Sequence, residues 1–292
     1  MEVPGREYAG ACLVALCLVG PGSHASAAPA LQAAVAPGPA SEKAYGLPLR
    51  GAEAEAFLKT AEVVETTSLR LGVTHSEQVT LSDGTRTLKA CWKTIDERQH
   101  GVKSLEGGGL ALEFVDSWKY EVAVYELDKL LGFDLVPPTV ERRLGGKDGA
   151  LQMWVEGVIT EWERVKKKLR PPDPERWNRQ IHAVRLLHAL TYNTDFRNLR
   201  NELVDPKFCV YAIDFSRAFR VQDFVPTEKN LLRFPRDPLE RMKTLDRPLL
   251  EAALGRWLTG REVEGLLRRR DRILVLVEKR VREKGEAAVL FP

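Results

Sequence analysis

Cysteine is scarce in this chain, and its positions follow no pattern. Four cysteines occur in 292 residues, of which Cys12 and Cys17 lie near the N-terminus and Cys91 and Cys209 lie far apart in the remainder. Disulfide frameworks and zinc sites need several cysteines at short, regular spacings. Both are therefore excluded, and we predict that Cys91 and Cys209, which lie in strand-like apolar runs, are small core residues.

An excess of charge of either sign is also absent. The chain has 44 lysines and arginines against 41 aspartates and glutamates, which leaves a formal net charge of +3. A nucleic-acid-binding domain usually carries a clear basic excess. We therefore expect no nucleic-acid partner. With 44% hydrophobic residues, the chain can bury a sizeable core in one or two domains.

Long hydrophobic runs are missing as well. Residues 11–20 are apolar, but a membrane-spanning helix needs about 20 such residues. The run has the length of a secretory h-region, and the small residues Ala25, Ser26 and Ala27 follow it as a cleavage pattern. These features predict a signal peptide over residues 1–27. The mature chain would then have no transmembrane segment and would be secreted, periplasmic or in the secretory pathway.

The charges before this run are the weak point of the signal-peptide prediction and leave an alternative open. Arg6 is offset by Glu2 and Glu7, whereas a signal peptide usually begins with a positive excess. The alternative is a disordered leader of a cytoplasmic protein. Residues 28–45, rich in Ala, Pro, Gly and Ser, cannot supply a core and are predicted to be a flexible linker.

A strand-rich lobe is predicted over residues 46–156. Short apolar runs bounded by turn residues indicate strands at 63–69, 78–81, 87–93, 135–144 and 150–157. The turns lie at 82–85 and at the glycine-rich stretch 145–149. A helical pattern over 117–131 ends at Gly132. The predicted order is three strands, one helix and two strands, in an antiparallel sheet.

Helices dominate the prediction for residues 157–292. One helix is expected over 175–191, and a capping box at Thr259 and Glu262 opens another that runs towards Lys284. The predicted fold class is α+β, with a small antiparallel-sheet lobe that contains one helix and a larger, mainly helical lobe after it. The cleft between two such lobes is a usual place for a ligand.

Polar residues cluster in the stretch TYNTDFRNLRNELVDPKFCVYAIDFSRAFR, residues 191–220. The pattern indicates a loop after a helix, a strand at 208–213, and Asp214 at the end of that strand. Phosphoryl transfer uses an aspartate that orients or deprotonates the acceptor hydroxyl, and an asparagine and a second aspartate that hold the metal ions. It also uses a strand lysine and a helical glutamate that holds it. Lys93 and Glu121 fit those two positions.

Four motifs make the chain resemble a known family. They are ACWKTID around Lys93, KYEVAVYELDKLLGFDLVPPTV around Glu121, NTDFRNLRNELVD around Asp195 and YAIDFSRAF around Asp214. The sequence resembles the atypical kinases of the phosphatidylinositol 3- and 4-kinase-like group. Within that group it is most similar to the bacterial and secretory-pathway relatives related to Golgi secretory-protein kinases and actin-fragmin kinase. The resemblance covers residues 57–282 and implies a two-lobed protein-kinase-like fold.

The resemblance also implies roles for individual residues. Lys93 would contact the α- and β-phosphates of ATP and pair with Glu121. Asp195 would be the catalytic aspartate, and Asn201 and Asp214 would be ligands of Mg²⁺ or Mn²⁺.

Two further segments would contact the nucleotide. The turn over the phosphates would be residues 71–76, LGVTHS, which contains a single glycine and is no glycine-rich loop in its own right. The hinge that passes the adenine would consist of Gln152, Met153, Trp154, Val155 and Glu156.

Two departures from the family pattern concern the metal site. The aspartate and the asparagine are usually five residues apart, whereas Asn201 follows Asp195 by six positions. An inserted residue can displace a ligand, and Mg²⁺ demands near-ideal octahedral geometry. Asn198 is therefore an alternative ligand. In addition, Phe215 stands where relatives usually have a histidine.

Simpler interpretations stay open for these residues. Glu126 lies on the same predicted helix as the chosen glutamate. Asp195 and Asn201 could cap turns, as such residues often do. Asp214 could form a structural ion pair with Arg217, which would replace the metal site.

Other polar and aromatic residues receive structural interpretations. His182 and His188, six apart on a predicted helix, are expected to be packing or surface residues. The six tryptophans are expected to anchor the core and the interface between the lobes. The basic runs 268–272 and 279–282 are interleaved with acidic residues, which indicates a solvated helix face, with an anionic or membrane partner as the alternative.

Two functions of different classes follow. The first is an ATP-dependent kinase that moves the γ-phosphoryl group to a hydroxyl on an unidentified protein, sugar or lipid. The second is a catalytically inactive pseudokinase that serves as a nucleotide-binding or scaffolding module.

Overall fold

The strands of this protein lie mostly in its first half. The structure, a computed structural model, describes residues 46–69, 76–104 and 110–292. The strands are β1 (Glu62–Ser68), β2 (Glu77–Ser82), β3 (Thr87–Lys93), β4 (Asp96–Ser104), β5 (Leu110–Ser117), β6 (Thr139–Leu144), β7 (Lys147–Met153), β8 (Ile159–Thr160), β9 (Glu202–Val204), β10 (Val210–Ala212), β11 (Phe234–Pro235) and β12 (Leu290–Phe291).

Six of the eight α-helices of the described residues lie in the second half of the chain. The eight are α1 (Gly51–Thr60), α2 (Trp118–Leu131), α3 (Glu161–Lys166), α4 (Pro174–Thr191), α5 (Arg236–Thr244), α6 (Arg247–Leu254), α7 (Gly260–Lys284) and α8 (Glu286–Val289). The architecture is α+β, as predicted.

The five-stranded sheet positions the strand lysine. Its order is β1-β2-β3-β7-β6, and all its pairs are antiparallel. Side chains alternate between the two faces of a strand. Ala90 and Trp92 therefore point into the core that the sheet forms with α1, while Cys91 and Lys93 share the opposite face of β3.

Helix α2 connects the sheet to the helical half. Ser117 caps its N-terminus by accepting a hydrogen bond from the backbone N–H of Lys119, and Gly132 ends it in the left-handed conformation, with φ of 70°. Glycine adopts that conformation without steric cost. Apolar residues of α2 such as Leu127 belong to the large core that also contains Leu187 of α4 and Leu266 of α7.

Gly149 allows β7 to approach β3 closely. A Cβ atom at this position would lie 2.5 Å from the carbonyl oxygen of Lys93 and 2.6 Å from the ring of Trp92. The predicted turn 145–149 was too long. Gly149 belongs to strand β7, and only Gly145 and Gly146 form the turn.

Several predicted elements are confirmed, and others are corrected. The predicted strands 63–69, 78–81 and 87–93 correspond to β1, β2 and β3, and the capping box of α7 is present. The predicted order of three strands, a helix and two strands was wrong. Helix α1 precedes β1, and the β4–β5 hairpin lies between β3 and α2. The polar strand DERQHGVKS has weak alternation, so its pairing with β5 depends on tertiary contacts.

The structure confirms one prediction about a single residue and corrects two others. Cys209 is buried, as predicted. Trp162 is 38% exposed, so the expectation that every tryptophan packs inside was wrong. Arg269 of the basic run is fully buried and donates to backbone carbonyls of Leu190 and Arg220, so the run is not entirely a solvated face.

Some predictions concern segments outside the described residues. These are the signal peptide 1–27, the linker 28–45 and residues 71–75 of the phosphate-covering turn. Within the described part of the chain, no helix is both long enough and apolar enough to span a bilayer.

Candidate active site

Lys93 lies at the end of β3 and forms two short ion pairs. Its Nζ is 2.6 Å from Oε1 of Glu121 and 2.9 Å from Oδ1 of Asp214. The lysine is 7% exposed and Glu121 is 1% exposed. A buried ammonium needs such partners, because desolvation without them is costly.

Glu121 joins this lysine to the segment that begins at Asp214. Its second oxygen, Oε2, accepts a hydrogen bond from the backbone N–H of Phe215 at 3.1 Å. The other candidate on α2, Glu126, forms its ion pair with Lys129 at 3.0 Å. The structure therefore brings Glu121, and not Glu126, to Lys93.

The charges of the three groups influence one another strongly. Burial opposes ionisation of Lys93, but the carboxylates of Asp214 and Glu121 outweigh it and hold the pKa of Lys93 well above its usual range. The ammonium of Lys93 lowers the pKa of Asp214. Burial raises the pKa of Glu121, although the bonds from Lys93 and Phe215 oppose that effect. Lys93 thus carries its charge in a buried position between two carboxylates.

Asp214 has a backbone conformation that few types of residue adopt. Its φ is 64°, in the left-handed region that aspartate and asparagine tolerate better than most residues do. The preceding strand β10 is buried and pairs with β9. The backbone N–H of Ile213 donates to the carbonyl of Asn201 at 2.9 Å, which brings the predicted metal ligands Asn201 and Asp214 close in the chain fold.

A second polar cluster forms around the carboxylate of Asp195. Its Oδ2 accepts hydrogen bonds from Nδ2 of Asn201 at 2.9 Å and from Nδ2 of Asn198 at 3.2 Å. The backbone N–H of Asn198 donates to the carbonyl of Asp195, and that of Asn201 donates to the carbonyl of Asn198. Two successive four-residue turns, each closed by an i+3→i backbone bond, therefore return both amides to one carboxylate. The six-residue spacing thus still brings Asn201 to Asp195.

Asn193, which was not predicted as a site residue, links the two clusters. This residue is fully buried. Its Nδ2 donates to the carbonyl oxygen of Asp214 at 3.3 Å, and its Oδ1 accepts from the backbone N–H of Asp195 at 3.0 Å. The signal was present in the sequence, because an asparagine two positions before an aspartate commonly forms such a local turn.

The alternative ion pair between Asp214 and Arg217 is not what the structure shows. Arg217 donates from Nε to Oδ2 of Asp116 at 2.8 Å, and Asp116 is 1% exposed. Asp214 is paired with Lys93 instead. Asp116 was also missed in the sequence, since it ends a strand that was not predicted.

Phe215, which directly follows Asp214, packs against a histidine. The rings of Phe215 and His188 are stacked with centroids 4.9 Å apart and an interplanar angle of 13°. His188 is 5% exposed, so it is a packing residue, one of the two alternatives expected for it. Burial lowers the pKa of His188 from 6.5 to about 4.

Replacing His188 by phenylalanine should flatten the loss of stability in acid. Between pH 6.5 and pH 4, His188 is protonated in the unfolded chain but stays neutral in the folded protein. The free energy of unfolding therefore falls as the pH falls through this window. The contribution is about 3 kcal/mol. A phenylalanine can stack in the same place and does not titrate. Urea unfolding of wild type and variant at pH 7, 5.5 and 4 measures the difference.

The matched control for this prediction is His182→Phe. His182 is only partly buried, and its pKa is lowered less far from 6.5. Its replacement should change the pH slope less than that of His188. Equal slopes for wild type and His188→Phe would show that His188 does not contribute to the acid sensitivity.

The predicted hinge residues lie at the end of β7 and just beyond it. Nε2 of Gln152 donates to Oγ1 of Thr139 at 2.9 Å, and Met153 is 1% exposed. Val155 is buried and Glu156 is exposed. The side chains of Gln152 and Met153 therefore already have partners within the fold.

The oxygen donors at this site fit a hard divalent cation. The carboxylates of Asp195 and Asp214 and the amide oxygens of Asn198 and Asn201 are the ligand types that Mg²⁺ and Mn²⁺ prefer. Among residues 46–69, 76–104 and 110–292, no group of three or more His, Cys, Asp and Glu side chains could hold a metal. Mg²⁺ in phosphoryl-transfer sites commonly has only one or two carboxylate ligands and takes the others from phosphate and water.

Comparison with known proteins identifies the fold. No protein-family model matches the chain, and no curated protein matches its sequence. A solved structure of hydra Fam20 with sugar is similar, with a TM-score of 0.60 and 17% identity over 81% of this chain and 90% of that chain. The Golgi casein kinase gives a TM-score of 0.58 at 15% identity, covering 82% of this chain and 78% of its own. Its complex with Mn and ADP gives 0.57 at the same identity and coverage.

These similarities concern the fold, since the identities are low. The predicted two-lobed protein-kinase-like fold is confirmed, and the neighbours agree with the part of the resemblance that pointed to Golgi kinases. The wider assignment to the phosphatidylinositol 3- and 4-kinase-like group stays a prediction, as do the lobe boundaries at 46–156 and 157–292.

Proposed function

We propose that this protein is an atypical kinase, an ATP-dependent phosphotransferase that moves a γ-phosphoryl group to a hydroxyl of a protein, sugar or lipid. The main support is the contact of Lys93 with both Glu121 and Asp214, at 2.6 and 2.9 Å. Phosphoryl transfer in kinases relies on such a lysine–glutamate pair next to a metal-binding aspartate.

In this proposal, Lys93 binds the nucleotide phosphates, and Glu121 holds the lysine in position. Asp214 and Asn201 bind Mg²⁺ or Mn²⁺, with Asn198 as the alternative amide ligand. The cation would neutralise charge on the phosphates during transfer. The hinge 152–156 passes the adenine.

Asp195 acts on the acceptor hydroxyl. Its carboxylate would orient the hydroxyl and accept its proton as the oxygen attacks the γ-phosphorus. The two amides on Oδ2 of Asp195 fix the orientation of the carboxylate, which leaves Oδ1 to face the acceptor.

The neighbouring structures support the cofactor and the location within this proposal. One neighbour binds Mn and ADP, and its name places it in the Golgi. We propose the same cofactors here, and a secreted or secretory-pathway location that fits the predicted signal peptide. A secretory compartment also has to supply the ATP.

A pseudokinase is the second candidate, and Phe215 favours it. This apolar residue directly follows the metal-binding candidate Asp214 and packs against His188. A chain that no longer turns over ATP could still bind nucleotide through Lys93. The two candidates differ in turnover, which can be measured.

The test is incubation of the purified chain with labelled ATP and either Mg²⁺ or Mn²⁺, followed by intact-mass spectrometry. We expect ATP turnover or autophosphorylation, reduced about 100- to 10,000-fold in Asp195→Asn, the range that general-base residues contribute. Asn201→Ala should reduce turnover more than Asn198→Ala if Asn201 is the ligand. Nucleotide binding without turnover, weakened by Lys93→Ala, would instead support the pseudokinase.

A further inference from the structure

A basic and apolar surface lies on α3 and on the residues that directly follow it, beside the loop 195–201. Trp162, Val165 and Leu169 are 38%, 49% and 41% exposed. Leu199 of the loop is 38% exposed. The backbone N–H of Trp162 donates to the carbonyl of Leu199 at 3.1 Å. The two stretches therefore form one continuous surface, although they are far apart in sequence.

Cations surround these apolar side chains. Lys166, Lys167 and Lys168 follow one another and are all exposed. The ammonium of Lys166 lies 4.8 Å from the centroid of the Trp162 ring, and the guanidinium of Arg200 lies 4.3 Å from it. We call these four cations, with the four apolar residues, the α3 patch.

The cations of the α3 patch outnumber the carboxylates beside them. Within the described part of the chain, no carboxylate forms a salt bridge with any of the four. Of the nearby acids, Glu161 pairs with Arg164. Glu163 closes the capping box of α3, and its pKa is lowered by the hydrogen bonds from Thr160 and also by the charges of Lys167 and Arg200. On α7, by contrast, exposed cations have partners, such as Lys279 with Glu283. The α3 patch therefore presents a net positive charge around exposed apolar groups.

We propose that the α3 patch docks the protein on a lipid bilayer with anionic headgroups. Clustered lysines are attracted to an anionic leaflet. Aliphatic and tryptophan side chains between them can enter the boundary between headgroups and acyl chains, while lysine stems lie along it. An anionic protein partner fits less well, since protein interfaces are depleted of lysine.

Docking in this orientation has a consequence for the site. Leu199 and Arg200 belong to the same loop as Asp195 and Asn201. The bilayer surface would therefore lie next to that loop. The docking itself needs no catalysis, so it goes beyond the proposed function and can be tested separately.

The experiment is co-sedimentation of the full chain with vesicles of phosphatidylcholine, with and without phosphatidylserine. We expect binding only when phosphatidylserine is present, and release as salt is raised, because salt screens exposed charges. The triple variant Lys166→Gln, Lys167→Gln, Lys168→Gln should bind about 100-fold more weakly, from the contribution that lysines make near an anionic leaflet. The N-terminal apolar run 11–20 is common to every variant, so differences between variants report on the patch.

Two control variants separate position from total charge and apolarity. Lys279→Gln, Arg282→Gln, Lys284→Gln removes three exposed charges from α7 and should leave binding within about 3-fold of wild type. The apolar part is tested by Val165→Ser with Leu169→Ser, which should weaken binding about 10-fold. Its control is Val275→Ser, since Val275 is 62% exposed on α7.

The outcomes are distinguishable. Asp195→Asn should bind vesicles like wild type even if the proposed kinase activity is absent. Equal binding to vesicles with and without phosphatidylserine would overturn the proposal, as would an equal loss in the α7 control. Binding to polyglutamate but not to vesicles, lost in the triple lysine variant, would overturn it in favour of an acidic protein partner.

Discussion

Replacing Asp214 by asparagine should lower the rate of phosphoryl transfer at least about 1000-fold, the size expected when several kcal/mol of metal-based stabilisation are lost. Asparagine keeps the shape of the side chain and still accepts a hydrogen bond from Lys93, but it cannot supply a negative charge to the cation. The measurement is the initial rate of transfer over a range of Mn²⁺ concentrations.

The same replacement should leave the folded state almost as stable as wild type. Lys93 faces two carboxylates, Glu121 and Asp214, so the lysine keeps one anionic partner after the change. We expect the free energy of unfolding to stay within about 1 kcal/mol. Urea unfolding measures it.

Asp134→Asn is a matched control for this variant. Asp134 also has a left-handed φ, 54°, and also forms a salt bridge, with Arg50 at 3.2 Å. It lies outside the proposed site, so its replacement should leave the transfer rate unchanged. A rate for Asp214→Asn within 10-fold of wild type would contradict the metal-binding role.

Replacing Lys93 by methionine, unlike the replacement of Asp214 by asparagine, should greatly lower the stability of the fold. The change leaves Glu121 and Asp214 close together without their shared cation. Removal of one partner from a buried ion pair costs about 3–5 kcal/mol. Lys93→Arg, which keeps the charge, should cost less, and the double variant Lys93→Met with Glu121→Gln should recover part of the loss.

The stability of Lys93→Met should also depend on pH in a defined direction. Burial already raises the pKa of Glu121, and loss of the ammonium raises it further. A carboxyl whose folded pKa exceeds its unfolded value stabilises the fold below the unfolded pKa, and this contribution is lost as the pH rises through the folded pKa. The deficit relative to wild type should therefore grow from pH 5 to pH 8, as measured by urea unfolding at each pH. A stability difference from wild type that shrinks as the pH rises would contradict the proposed interaction of Lys93 with Glu121 and Asp214.

Much of the fold could be predicted because the signals were local. Ser117 and Gly132 bound α2, and the capping box of Thr259 and Glu262 opens α7. Capping and alternation act over a few residues, so they can be read directly from the sequence. The β4–β5 hairpin was missed because its first strand is polar and is stabilised by the partner strand, which a local pattern does not show.

The candidate site was predicted in part for the same reason. Lys93, Glu121, Asp195, Asn201 and Asp214 were all chosen from motifs. Short contacts place Lys93, Glu121 and Asp214 in one cluster, and Asp195 and Asn201 in another. Asn193 was missed because its role is to connect two clusters. The local pattern predicts its turn at Asp195, but its bond to Asp214, 21 positions away, has no local signal.

The sequence by itself determined the local elements, the alternation that places Lys93 opposite the face of Trp92, and the set of candidate polar residues. Only the tertiary structure decided which charges pair. Lys93 meets Asp214 across 121 positions of sequence, and Arg217 meets Asp116 across 101. On charge alone, either acid, Asp214 or Asp116, could pair with either of the two cations. The choice between them depends on how the sheet packs against the loop after β10, because an ion pair gains energy only at contact distance, and contact distance is set by packing.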